Sequence, residues 1–275
     1  MCGRGEYGVF DALAPSRRLG CGDQMRLCVI GCGNVGRLVA KNRGVLGVSL
    51  KFFDRHPERC FEVCKDDCEV STSFDEFLEG CDLVVEAASP EAVRQYAPQV
   101  LRKADMVVLS VGALMDKELY GRLLRIAENY GTSIVVPSGA VAGIDAIKAL
   151  KNAGIEEVQV ITTKNPKALG VNVEEKTVLF EGPASEAVKR FPTNVNVVAT
   201  VSLAAGKEAT VKVVADPSVD KNVHEIRVKS KAGELYVKVT NVPSPDNPKT
   251  SLLAALSLIE TLKELVKKQR IRIGT

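Results

Sequence analysis

Gly31, Cys32, Gly33, Asn34, Val35 and Gly36 form a G-x-G-x-x-G run directly after the apolar stretch 26–30. The chemistry this spacing serves is anion binding. The first glycine permits a tight turn, the second lets backbone N–H groups approach a pyrophosphate, and the third lets helix and strand pack closely. The N–H groups and dipole of the helix that follows favour the anion. Asp54 stands 18 residues beyond Gly36, at the end of a second apolar stretch, where a carboxylate accepts hydrogen bonds from an adenosine ribose. That combination points to NAD. Arg55 beside it suits a 2′-phosphate, which leaves NADP open. A methyltransferase-type loop competes with both, because it also uses a glycine-rich turn and an acid after the second strand.

Only two histidines are available for proton transfer. His56 follows Asp54 in a loop and is expected at the surface. His224 alternates with Ile226 and Val228, so strand periodicity aims it inward. It is either a hydrogen-bonded core residue or the acid–base group that proton transfer coupled to hydride transfer requires. Two further loops follow apolar strands, where ligands of α/β sheets bind: 87–89, with Ala88, and 110–113. The small-residue turn 138–145 either admits a ligand to the backbone or packs a helix tightly through Gly139 and Gly143.

The elements that must position these residues follow from the punctuation. Strands are expected at 26–30, 48–53, around Val70, and at 82–86, 106–109 and 133–136. Helical patterns run from the glycine turn to residue 40 and over 74–78, 91–101 and 117–130. This alternation is that of stacked βαβ units. After Pro137 the pattern changes to a glycine-rich turn and helix over 139–151, followed by β-patterned stretches at 159–163, 210–215, 223–230 and 234–239 with few helices. They suggest a mixed or antiparallel sheet open on one face. The expected fold class is therefore α/β, a doubly wound Rossmann sheet with a second α+β domain. The expected divisions are a flexible extension over 1–24, a dinucleotide-binding domain over 25–137, and a substrate domain over 138–249. A C-terminal segment over 250–275 would supply a helix that packs back on the first domain. Met25 is an alternative natural start, which would make the extension an artefact.

With 275 residues, 45% hydrophobic and 26% charged, the chain is long enough for one large core or two modest ones. The 37 basic and 34 acidic residues are spread evenly and leave a net charge of +3, which argues against a nucleic-acid partner. No apolar run approaches the roughly 20 residues of a membrane span, and residues 1–23 contain no apolar core of a secretory signal. All eight cysteines precede residue 82. That is not the distribution of a disulfide framework and suggests a reducing, cytoplasmic compartment. Cys60, Cys64 and Cys68 would share a helical face with His56. A metal site there is conceivable, but a buried apolar stripe is the simpler reading, and no metal is expected.

At this point the residues resemble the L-aspartate dehydrogenases, a Rossmann family of archaeal and bacterial enzymes. The resemblance covers 25–265 and rests on seven blocks in order. They are Gly31 to Gly36, Val85-Glu86-Ala87-Ala88-Ser89, the turn 138–147, Glu181-Gly182-Pro183-Ala184-Ser185-Glu186-Ala187, Phe191-Pro192-Thr193-Asn194-Val195-Asn196-Val197, Asn222-Val223-His224-Glu225 and Asn247-Pro248-Lys249-Thr250-Ser251. It implies NAD(P)-dependent interconversion of L-aspartate with iminoaspartate or oxaloacetate plus ammonia, a link to nicotinamide cofactor synthesis, and a homodimer. The family's active-site histidine falls on His224 and its cofactor contacts on Ala140 and Asn196. Cys32 and the N-terminal extension depart from the family's pattern. A dicarboxylate substrate needs cationic partners, for which Lys164 and Lys249 are candidates in loops bordering the second domain. Rival readings are a homoserine dehydrogenase or dihydrodipicolinate reductase relative, and a non-catalytic NAD-binding regulator.

Overall fold

A computed structural model of the protein describes residues 24–65, 67–191, 196–244, 247–267, 270–271 and 273–274, with backbone only at 247–249. The expected N-terminal extension therefore lies outside the described residues, Gln24 apart.

Six strands form the first sheet: β1 (Arg26–Ile30), β2 (Ser49–Phe53), β3 (Glu69–Val70), β4 (Leu83–Glu86), β5 (Asp105–Val108) and β6 (Ile134–Val135). Their order is β3-β2-β1-β4-β5-β6, and every pairing is parallel. That is the doubly wound dinucleotide-binding order, with its reversal between β1 and β4. The connecting helices are α1 (Asn34–Lys41), α2 (Arg43–Leu46), α3 (Pro57–Cys64), α4 (Phe74–Leu78), α5 (Pro90–Val100) and α6 (Lys117–Tyr130). Local chemistry sets their ends. Ser89 accepts a hydrogen bond from the Ala92 N–H at 3.3 Å, with Pro90 opening the first turn of α5. Asp116 caps α6, and Gly131, at φ +66°, ends it in the left-handed region.

Both faces of this sheet are buried, so its strands read as continuous apolar runs. Along β1, Cys28 and Ile30 join a core with Phe77, Tyr96 and Met106, whereas Leu27 and Val29 join one with Leu46 and Phe52.

The second sheet contains β7 (Ile155–Lys164), β8 (Thr177–Pro183), β9 (Thr210–Ala215), β10 (Asn222–Ser230) and β11 (Gly233–Asn241). Its order is β11-β10-β7-β9-β8, antiparallel except for β7 with β9. Helices α7 (Ile144–Lys151), α8 (Pro166–Leu169), α9 (Ala184–Arg190) and α10 (Asn196–Ala205) accompany it. The last three correct the expectation of few helices after residue 151. Strands β12 (Pro243–Ser244) and β13 (Asn247–Ser251) then lead to α11 (Leu252–Val266). Its Leu258 and Leu262 are fully buried in the β1–β2 side of the first sheet's core. Burial of each contributes about 1.5–3 kcal/mol, which fastens the chain's end to the first sheet.

The cysteines require the largest correction. Cys28–Cys81, Cys32–Cys60 and Cys64–Cys68 are disulfide-bonded, with Cα–Cα distances of 5.8, 5.1 and 5.1 Å. Cys28 lies on β1, Cys60 and Cys64 on α3, and Cys32, Cys68 and Cys81 in connecting loops, so a distribution that argued against a framework is brought into bonding distance by the packing of the first sheet and its surroundings. The helical face expected for Cys60, Cys64 and Cys68 is interrupted, because α3 ends at Cys64. Cys60 and Cys64 belong to the apolar core, while His56 is exposed and faces Glu58 at 3.4 Å. Among the described residues no cluster of three or more potential metal ligands occurs.

Candidate functional site

The glycine turn begins where β1 ends and meets β4 across the reversal of strand order. Gly31 has φ +107°, and a Cβ there would lie 2.7 Å from the Ala87 carbonyl oxygen. A Cβ on Gly36 would lie 2.3 Å from the Gly31 carbonyl oxygen, so the third glycine is demanded by close packing. Gly33 differs, since no heavy atom lies within 4 Å of a Cβ built on it. The backbone is therefore accessible at the position where a diphosphate would approach. Cys32 is buried, and its N–H donates to the Asp54 carboxylate at 3.0 Å. The His56 N–H donates to the other Asp54 oxygen, also at 3.0 Å. Asp54 thus joins the second strand's loop to the glycine turn.

From the far end of the turn, Asn34 and Val35 line a cavity of about 320 Å³ between the two sheets and α11. Ala140, Lys164, Asn196 and His224 line the same cavity. Asp54, Ala88 and the three glycines do not. The sequence-derived residues therefore form two connected parts, an outer one around Asp54 and Gly33 and an inner one around His224. A hollow of about 430 Å³ at the amino ends of β1 and β2 contains none of them. Its arginines are paired, Arg26 with Glu69 at 4.0 Å and Arg43 with Asp67 at 3.4 Å.

His224 lies on β10, 2% exposed, on the face shared with Ile226 and Val228. It stands opposite Thr162 of β7, whose Oγ1 is 3.1 Å from its Nδ1. Burial, reinforced by the nearby Lys164 ammonium, pushes the imidazole down to about 3, so it is neutral at neutral pH. Lys164 is not in a loop, as its sequence neighbourhood suggested; it is the last residue of β7 and 4% exposed. Two residues beyond Thr162, it shares the face of His224. Burial pushes its amine down to about 8, leaving it mostly cationic at neutral pH. Lys249 is carried by β13, but its side chain lies outside the described residues. Ser244, Thr250 and Ser251, on either side of that turn, line the cavity.

Second contacts fix this lining. The Asn241 amide donates to the Ala140 carbonyl at 2.9 Å, and the Gly139 N–H donates to Ser257 Oγ at 3.0 Å. The two glycines of the 138–145 turn have separate uses. Gly143, at φ +76°, packs close to Val237, whereas Gly139 has open space beside it and lines the cavity. Asn196 opens α10, and its Oδ1 accepts from the Gly112 N–H at 3.2 Å. Thr162, Asn241 and Glu86 received no role from the sequence. Inward alternation along β7 was the signal for Thr162; the others depend on contacts across the fold.

The region 145–265 matches the model described as "Aspartate dehydrogenase, C-terminal", and 31–137 matches "Homoserine dehydrogenase, NAD binding domain". The chain is 45% identical to an L-aspartate dehydrogenase of Methanothermobacter thermautotrophicus over 91% of its length and 99% of the relative's. It is also 45% identical to one from Methanosarcina barkeri, over 91% of its own length and all of that protein. A crystal structure of aspartate dehydrogenase from Thermotoga maritima superposes with TM-score 0.77 and 32% identity, covering 92% of this chain and 100% of that one.

Proposed function

The chain belongs to the L-aspartate dehydrogenase family, and from that premise we propose that it interconverts L-aspartate with oxaloacetate and ammonia through iminoaspartate, using NAD or NADP. The observation that carries the reading is the single cavity shared by Asn34, Ala140, Asn196, Lys164 and His224. It joins the anion-binding turn to a proton-transfer group and a cation.

The open backbone at Gly33 fits a pyrophosphate. In this reading Asp54 receives the adenosine ribose, which favours NAD over NADP, and Arg55 is the residue that would accompany a 2′-phosphate. Ala88 borders the cofactor's path, and Ala140 and Asn196 hold its nicotinamide end. The bound cofactor supplies hydride transfer to or from the substrate Cα. Residues 25–137 then serve the cofactor and 138–249 the substrate.

His224 acts on water in the deaminating direction. Its neutral imidazole takes a proton as water adds to the imino carbon and returns it to the nitrogen; as ammonia leaves, the imidazole takes the carbinolamine hydroxyl proton and the carbonyl forms. The Thr162 contact at Nδ1 fixes the ring's orientation. The Lys164 ammonium faces one substrate carboxylate, and Lys249 is the candidate for the other. A homodimer whose turnover feeds nicotinamide cofactor synthesis completes the proposal; three disulfides remove the cysteine argument for a reducing compartment, and a cytoplasmic location then requires a cytosol that tolerates them, as in hyperthermophiles.

The test follows oxidation of NADH and NADPH with oxaloacetate and an ammonium salt, each omitted in turn, for the protein and its His224→Ala variant. Turnover should require both substrates and fall roughly 100-fold or more in the variant. Oxidation with oxaloacetate alone would indicate a malate-type reaction and overturn the assignment.

A further inference from the structure

Glu86 is the last residue of β4 and is fully buried. An unpaired carboxylate in such a place would be costly, and this one is surrounded by donors. Its Oε1 accepts from the Ala88 N–H at 2.8 Å and from the Ser110 hydroxyl at 2.9 Å. Its Oε2 accepts from the Ser110 N–H at 2.9 Å and the Leu109 N–H at 3.3 Å. One side chain therefore ties the loop after β4 to the loop after β5.

The second loop leads directly to the cavity. Ser110 begins the 3₁₀ turn Val111–Met115, closed by the Ala113 N–H on the Ser110 carbonyl at 3.0 Å. One residue earlier in that turn, the Gly112 N–H donates to Asn196 Oδ1. Because a backbone N–H can only donate, this bond fixes which end of the Asn196 amide is oxygen, and hence where its NH2 group points. Leu109, Val111 and Asn196 all line the cavity.

We propose that Glu86 is a positioning residue for the nicotinamide end of the cofactor, acting through the Ser110–Gly112 turn on the orientation of Asn196. This rests on the reading of the cavity given above. Glutamine at position 86 retains one acceptor oxygen and puts an NH2 in place of the other, where it faces a backbone N–H donor. Its effect on cofactor binding should therefore depend on Asn196.

The experiment is a double-mutant cycle on NADH affinity, read from the fluorescence of bound NADH, for the protein, Glu86→Gln, Asn196→Ala and the double variant. Glu86→Gln should weaken NADH roughly fivefold or more with Asn196 present and less than about twofold without it, a coupling beyond the scatter of independent sites. KM for oxaloacetate should change little, which a general loosening of the fold would not produce. Equal losses in both backgrounds would overturn the proposal. If Glu86→Gln does not fold, Ser110→Ala, which removes only the hydroxyl donor, replaces it in the same cycle with the same criterion. Failure of the unmodified protein to bind NADH would remove the cofactor reading and this proposal together; binding with additive losses would remove this proposal alone.

Discussion

Replacing Cys28 and Cys81 by alanine should lower stability by about 3–4 kcal/mol through loss of the cross-link. The bond closes a separation of 53 residues, for which chain entropy gives about 4 kcal/mol at 25 °C. The other two bonds, spanning 28 and 4 residues, lie inside that loop. They shorten the path still available to the unfolded chain, which lowers the figure to about 3 kcal/mol. For a chain of this length the midpoint of thermal unfolding should fall by roughly 6–16 °C. Truncating two buried side chains adds its own cost, so the cross-link is isolated by comparing protein and variant, each unfolded with and without a dithiol reductant. Reduction should destabilise the protein more than the variant by this amount. Thiol titration in denaturant without reductant provides the independent check. All six cysteines among the described residues are bonded, so of the eight in the sequence no more than two thiols should react. A titre near eight would refute the cross-links and the stability estimate with them.

The glycine turn allows a paired prediction. Gly36→Ala meets the Gly31 carbonyl oxygen at 2.3 Å and should lower both the unfolding midpoint and NADH affinity. Gly33→Ala meets no protein atom within 4 Å, so calorimetry should find the fold unchanged while NADH binding weakens. Stability should also rise with pH in two windows. The His224 imidazole titrates at about 3 when folded against a usual value of 6.5, so the unfolded chain binds the extra proton between them and stability is lost on acidification below 6.5. For Lys164 the values are about 8 and 10.5, so the penalty of its buried charge is relieved as pH rises from 8. Each group contributes at most about 1.4 kcal/mol per pH unit. In urea unfolding across this range, His224→Gln should flatten the acid limb and Lys164→Met the alkaline one; unchanged slopes would refute the assigned burial.

Some of this was determined by the sequence itself. The G-x-G-x-x-G spacing and the need for Gly36 beside the Gly31 carbonyl are set within a few residues, whereas the close approach of Gly31 to Ala87 is a contact across the fold, and the surrounding strands are continuous apolar runs. The inward aim of His224 follows from the two-residue repeat of a strand, which needs no knowledge of its partner. Helix α10 was hidden because its sequence is apolar and β-branched, and seven of its residues are buried. A helix buried on nearly every side shows no amphipathic period.

Tertiary structure decided the rest, because those contacts join residues whose separation in sequence carries no signal. Thr162 reaches His224 only through the register of β7 and β10. Lys164 becomes a buried cation because its strand extends to that point between the sheets. Glu86 acquires its four donors from loops on either side of a strand pair, and Asn196 acquires its orientation from Gly112, 84 residues away. The cysteines make the same point in reverse. Their crowding into one stretch of sequence was legible, but whether their sulfurs lie within bonding distance depends on how strands and helices stack.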